Sequence, residues 1–150
     1  MNVYADNAAT TKMCAAAIKE MLPYMMETYG NPSSLHSEGQ KAAMALQDAR
    51  ERIAARLGCQ PDEIIFTSGG SEADNQAVLS AAKFGMEHGK KHIITTAFEH
   101  HAVLHTVEAL RADGFEVTFL NVHSDGLVVP EEVKAAIRPD TCLVTVMYAN

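Results

Sequence analysis

Apolar residues at Ala42, Leu46, Ala49, Ile53 and Leu57 recur at the spacing of one helix face, and Gly58 closes the run. Upstream, residues 1–11 read as an extended arm with a turn at Asp6-Asn7. A first helix is expected from about Lys12 toward Met26, interrupted at Pro23. Gly30-Asn31-Pro32-Ser33-Ser34 breaks the periodicity and reads as a loop. Beyond Gly58 the pattern turns regular. A β-rich run at 63–67 leads into a helix from Ser71 to about His88, and a strand at 92–96 into a helix from about His101 to Ala112. A strand at 116–122 is followed by a Ser124-Asp125-Gly126 turn and a short extended piece at 127–129. Pro130 then opens a helix at the favoured first position, with Glu131 and Glu132 at its positive end. Residues 142–148 are apolar and β-branched, as in a strand covered on both faces. Strands alternating with helices predict an α/β fold with a mainly parallel sheet and right-handed crossovers. The expected organisation is an arm at 1–11, N-terminal helices at 12–58 and an α/β domain beginning at 59 and running to 150.

Composition narrows the function classes. A net charge of -7, with no Lys/Arg run, argues against nucleic acid as the main partner. No apolar stretch is long enough to span a bilayer, and the first residues lack the layout of a signal peptide, so no membrane partner is expected. Cys14, Cys59 and Cys142 are far apart and odd in number, which points to a reducing cytoplasm and buried thiols.

The stretch Phe66-Thr67-Ser68-Gly69-Gly70-Ser71-Glu72-Ala73-Asp74-Asn75 carries the first chemical signal. Paired glycines let the backbone turn sharply and approach a ligand, and Ser71 stands where an N-cap belongs, with Asp74 as capping-box partner. A strand that ends in such a turn and feeds a helix forms an anion site, and the ligand expected there carries a phosphate. Neither the Walker nor the dinucleotide glycine pattern is present. An ordinary strand–turn–helix joint explains the same spacing, so the rest of the chain must decide. In parallel sheets ligands bind beyond the C-terminal ends of the strands. Ser68-Gly69-Gly70-Ser71, Glu99-His100-His101 and Asn150 all fall at that edge. A single functional histidine there could stack on an aromatic ring and move protons near neutral pH. His101 and His105 could share a helix face as metal ligands, but no carboxylate or cysteine completes a set, and no metal is expected. His36, His88, His92 and His123 read as surface or helix-end residues, the methionines as core filler, and the paired acids as turn and helix-start residues.

Four motifs then carry a resemblance: Asp6-Asn7-Ala8-Ala9-Thr10-Thr11, Tyr29-Gly30-Asn31-Pro32-Ser33-Ser34-Leu35-His36, Thr67-Ser68-Gly69-Gly70-Ser71-Glu72-Ala73-Asp74-Asn75 and Glu99-His100-His101-Ala102-Val103. In this order and spacing the chain, from Tyr4 to Asn150, resembles the NifS/IscS-like branch of the cysteine desulfurases, within the class V pyridoxal-phosphate aminotransferase family. The resemblance implies the N-terminal portion of a fold type I large domain. It implies that Gly70 and Ser71 bind the phosphate of pyridoxal 5'-phosphate, and that His100 stacks on the pyridine ring and assists proton transfer. It also implies that Asn150, which matches the first asparagine of the family's Asn-Asn-Glu stretch, is a cofactor-binding candidate beside the asparagine usually in contact, and that the extended arm lies over the active site.

The activity implied is the conversion of L-cysteine to L-alanine, with the sulfur kept as an enzyme persulfide for iron–sulfur cluster assembly or thio-modification. The resemblance also implies a cytoplasmic homodimer, a sulfur-acceptor or scaffold protein, and a C-terminal remainder carrying the Schiff-base lysine and the nucleophilic cysteine. None of the lysines and cysteines here sits in those contexts, so this chain alone is expected to be inactive. Another class V enzyme (a selenocysteine lyase or an aminotransferase) and a non-catalytic assembly module are the alternatives.

Overall fold

A computed structural model describes residues 1–150, which divide into two compact units, Met1–Phe66 and Thr67–Asn150.

In the first unit the arm turns at Asp6, whose carbonyl accepts the N–H groups of Ala9 and Thr10. Helix α1 (Ala15–Met26) follows, its N-terminus capped by the Cys14 sulfur. Pro23 does not interrupt it. The ring sits in the last turn, where only the bond to Lys19 is lost and the helix is about to end in any case. Helix α2 (Ser37–Leu57) ends as expected at Gly58, which adopts a left-handed φ of 73°. Its N-terminus is capped by His36, whose Nδ1 accepts the Gly39 N–H at 3.3 Å. The Gly-Asn-Pro-Ser-Ser loop lies directly on that helix start. A Cβ on Gly39 would stand 2.3 Å from the Ser34 carbonyl oxygen, and one on Gly30 the same distance from the carbonyl oxygen of Glu38. Only glycine allows this approach.

The β-rich run at 63–67 is not a strand. A 3₁₀ turn, Pro61–Glu63, passes into an extended segment with no ladder partner. Its polar contact is instead with α2: the Arg50 guanidinium donates to the Ile64 carbonyl and lies 4.8 Å over the Phe66 ring. Ile-Ile-Phe favours extended backbone, but a strand exists only where a neighbour completes its hydrogen bonds.

The second unit is an α/β layer. Helix α3 (Gly70–Glu87), strand β1 (His92–Thr96), helix α4 (His101–Ala112), strand β2 (Glu116–Leu120), helix α5 (Pro130–Ala136) and strand β3 (Thr141–Val144) follow in order. The sheet is parallel, with order β2-β1-β3. Every residue of β1 is buried, as a central parallel strand requires. Ile93 packs with Val78 and Ala82 of α3 and with Val103, Val107 and Leu110 of α4. Residue Gly85 lets α3 lie close on β3, since a Cβ there would come within 2.6 Å of the Cys142 Cβ. Cys142 itself falls at the irregularity in the β1–β3 ladder, and burial pushes its thiol upward, so it is an inert core group.

Strand β3 is shorter than the apolar run suggests. The Thr145 N–H still reaches the Ile94 carbonyl, but the Met147 N–H turns to the Glu99 carboxylate and leaves the ladder.

His92 is not a surface residue. It is fully buried, with Nδ1 2.7 Å from Thr141 Oγ1 and Nε2 2.9 Å from Thr118 Oγ1, so one imidazole ties both outer strands to β1. Burial first, and the Arg138 charge second, hold its pKa below the ordinary histidine value, against the opposing pull of Asp140 and Glu116. Above about pH 6.5 His92 is neutral in folded and unfolded chains alike. Below that the unfolded chain binds the proton first, and stability is lost as pH falls through the depressed folded value. The melting temperature of the protein is expected to fall on acidification from pH 7 to 5, and His92→Asn is expected to flatten that slope. An unchanged slope in the variant would assign the acid sensitivity to other groups.

Candidate functional site

The carboxyl edge of the sheet gathers two helix starts. Helix α3 begins after Thr67-Ser68-Gly69, and α4 after the loop that leaves β1. The two helices pack against each other through the core around Ile93. At the head of α3 the N–H groups of Gly70, Ser71 and Glu72 have no acceptor, and the first backbone bond is from Ala73 to the Gly69 carbonyl. The exposed Ser71 hydroxyl is not engaged by any neighbour. A Cβ on Gly69 or Gly70 would meet nothing within 4 Å, so the approach to these donors is open. Unpaired N–H groups, a hydroxyl and the positive end of an eighteen-residue helix are the donor chemistry of a phosphate cradle.

The capping differs from the expectation. The N-cap is Gly69, not Ser71, and Asp74 is not the reciprocal partner. Glu72 takes that part, two residues earlier, accepting from the Ser68 N–H at 2.7 Å and the Ser68 hydroxyl at 2.5 Å. Those bonds hold its carboxyl below the usual range and keep it turned to Ser68. The shift frees the Ser71 hydroxyl for a ligand, because a capping serine would have turned it inward.

His100 is the N-cap of α4, with an extended backbone (φ -60°, ψ 146°). Its Nδ1 accepts the Ala102 N–H at 3.1 Å. That bond fixes the ring plane and the tautomer, so the neutral ring carries its proton on Nε2, at an exposed position. His101 and His105 stack on one another along α4, with centroids 5.3 Å apart, and neither caps the helix. Asn150 donates from Nδ2 to the Phe98 carbonyl at 2.7 Å, which brings it beside the loop that carries His100.

Two residues that fall within the sequence motifs make contacts that the sequence does not reveal. Glu99 is buried and accepts from Thr96 Oγ1 at 3.0 Å and from the Met147 N–H at 2.7 Å, pinning the loop ahead of His100 to the segment after β3. Asn75 donates from Nδ2 to the Ser71 carbonyl at 2.7 Å and to the Ala102 carbonyl at 3.3 Å, while its Oδ1 accepts from Thr106 Oγ1 at 2.6 Å. Both act across long stretches of sequence, and local patterning does not show these bonds.

The chain is 49% identical over 148 residues to a protein of Methanosarcina thermophila named cysteine desulfurase IscS, covering 99% of this chain and 36% of that protein. A cysteine desulfurase IscS of Neisseria meningitidis is 50% identical over 149 residues, with 99% of this chain and 37% of the relative covered. The chain therefore spans well under half the length of these curated relatives. Among solved structures, a NifS-like protein superposes with a TM-score of 0.93 at 42% identity, over 100% of this chain and 41% of the other. SspA, solved in complex with cysteine, matches with a TM-score of 0.85 at 41% identity over 93% of this chain and 40% of its own. The backbone is thus that of the N-terminal part of a fold type I enzyme. The sequence profile of aminotransferase class V runs from residue 3 to residue 150 and leaves almost nothing outside it, and the chain belongs to the aminotransferase class V family.

Proposed function

We propose that this chain provides the phosphate cradle and the ring-side histidine of a pyridoxal-phosphate-dependent cysteine desulfurase. The enzyme takes L-cysteine to L-alanine and leaves the sulfur as a persulfide on a cysteine thiol, for iron–sulfur cluster assembly or thio-modification. The observation that carries the reading is the placement of unpaired α3 donors and the His100 imidazole on two packed helix starts at one sheet edge. Relatives named cysteine desulfurase at 49–50% identity favour this chemistry over the other reactions of class V enzymes.

Pyridoxal 5'-phosphate, when bound, supplies the electron sink for breaking bonds at the substrate's carbons. The chain's own residues do the rest of what falls to it. The Gly70 and Ser71 N–H groups and the Ser71 hydroxyl hold the phosphate. His100 presents a ring fixed in plane by Ala102, with Nε2 as the nitrogen left to pass a proton. Asn150 already gives its amide to Phe98, so its part is to hold the His100 loop. A homodimeric, cytoplasmic enzyme with a sulfur-accepting protein partner belongs to the same proposal, as does the inactivity of these 150 residues by themselves. No helix is long and apolar enough to cross a membrane.

The test is direct. The intact polypeptide is incubated with pyridoxal 5'-phosphate and L-cysteine, and alanine and sulfide (the latter with a reductant) are measured. Stoichiometric alanine and sulfide support the reading; pyruvate or transaminated product without sulfide would overturn it. Within it, Ser71→Ala is expected to weaken cofactor binding by about 1–2 kcal/mol, the size of one hydrogen bond to a charged group. Titration followed by cofactor absorbance measures this, and unchanged affinity would place the phosphate elsewhere.

A further inference from the structure

We infer that Asn75 is a positioning residue that sets the phosphate cradle and His100 at a fixed distance; this rests on the pyridoxal-phosphate reading above. Its amide is used at both ends. Nδ2 holds the carbonyl of Ser71, the residue at the head of the cradle, and also reaches the Ala102 carbonyl on the neighbouring helix. Oδ1 is fixed in turn by the hydroxyl of Thr106, a buried residue one turn further along α4, whose single proton is shared between Asn75 Oδ1 at 2.6 Å and the Ala102 carbonyl at 2.8 Å. Ala102 is the residue whose N–H orients the His100 ring. A chain of hydrogen bonds therefore runs from Ser71 through Asn75 to Ala102 and on to His100.

The arrangement has a specific consequence. Pyridoxal phosphate is a rigid ring with a short phosphate arm, so a histidine stacked on the ring and a cradle on the phosphate must hold one separation. Apolar contacts set the spacing and crossing angle of α3 and α4; the offset along their axes is a separate coordinate. A directional amide between the two first turns fixes that coordinate. Aspartate is not an equivalent replacement, because a carboxylate would face the Ser71 and Ala102 carbonyls with no N–H to offer.

The test uses the intact polypeptide and two readouts. Without cofactor, ¹⁵N shifts of the His100 imidazole report its tautomer; the Nε2–H form with Nδ1 as acceptor is expected. Asn75→Ala and the near-isosteric Thr106→Val are expected to shift it toward a mixture of tautomers, and Thr106→Ser, which keeps the hydroxyl, to leave it unchanged. With cofactor, Asn75→Ala is expected to weaken pyridoxal 5'-phosphate by about tenfold, as for one lost hydrogen bond, and phosphate-free pyridoxal by much less. A lower melting temperature with unchanged His100 shifts and unchanged phosphate preference overturns the inference and leaves Asn75 as a simple helix tie. If the wild-type protein fails to bind the cofactor while the tautomer responds to both variants, the functional reading falls and the link from Asn75 to His100 stands.

Discussion

Replacing His100 is expected to lower turnover of the intact enzyme by about 10²–10⁴-fold, the usual weight of a positioned acid–base group. The residue has two separable jobs. It caps α4 through Nδ1, and it offers an exposed ring. Loss of the cap alone costs about 1 kcal/mol of stability. His100→Ala removes both, whereas His100→Asn restores a good capping side chain and removes only the imidazole. If the ring is what matters, the asparagine variant keeps a near-native melting temperature and still loses turnover. If the cap is what matters, it recovers activity. His101→Ala is the control next door. His101 is exposed and stacks on His105, so its removal is expected to change turnover by no more than a few-fold. Equal losses in the two alanine variants, or a metal ion held by His101 and His105, would reverse the assignment. Steady-state sulfide release and thermal melts of the four proteins decide between these outcomes.

The sequence exposed this site unevenly, and the reasons are physical. Strand β1 and helix α4 fall where the pattern puts them, because a buried β-branched run and a sharp helix start are local signals. The end of α2 is equally local, since Gly58 supplies the left-handed residue that a helix stop needs. The cap of α3 is displaced by two residues because Ser68-Gly69-Gly70-Ser71 offers several capping frames. Which one wins depends on Glu72 reaching back to Ser68, which spacing cannot decide. The run at 63–67 has strand-like residues but no neighbour to pair with, and an arginine on α2 takes its carbonyl instead. His92 looks like a residue at the end of a lysine turn; only the sheet shows hydroxyls placed on both sides of it. Asn75 and Glu99 bond residues that are distant in sequence, through side chains that no periodicity flags.

The 150 residues assayed by themselves are expected to release no sulfide from cysteine in the presence of pyridoxal phosphate, and to self-associate. On the proposed pyridoxal-phosphate reading, turnover calls for a lysine amine near the α3 head and His100. The lysines of the second unit are elsewhere. Lys90 and Lys91 directly precede β1 and so lie at the opposite, amino edge. Lys83 is far along α3, roughly 20 Å from Gly70 at the rise of an α-helix. Lys134 is exposed on α5. In the first unit, Lys12, Lys19 and Lys41 are exposed, and Lys41 is paired with Glu38. Self-association has a separate cause. Strands β2 and β3 are both outer strands of the sheet, and Phe119, Val144 and Val146 are exposed on or just beyond them. Uncovered apolar strands recruit further strands from other copies. Helix α1 buries none of its residues and leaves Met25 and Met26 about 70% exposed, too little packing to hold so short a helix in water. Light scattering on the isolated polypeptide should therefore report a mass well above 16.2 kDa. On the proposed reading, supplying a lysine-bearing C-terminal partner in trans or in cis should lower that mass per chain and give sulfide release. A monodisperse monomer that melts cooperatively and turns over cysteine would refute both halves of this prediction.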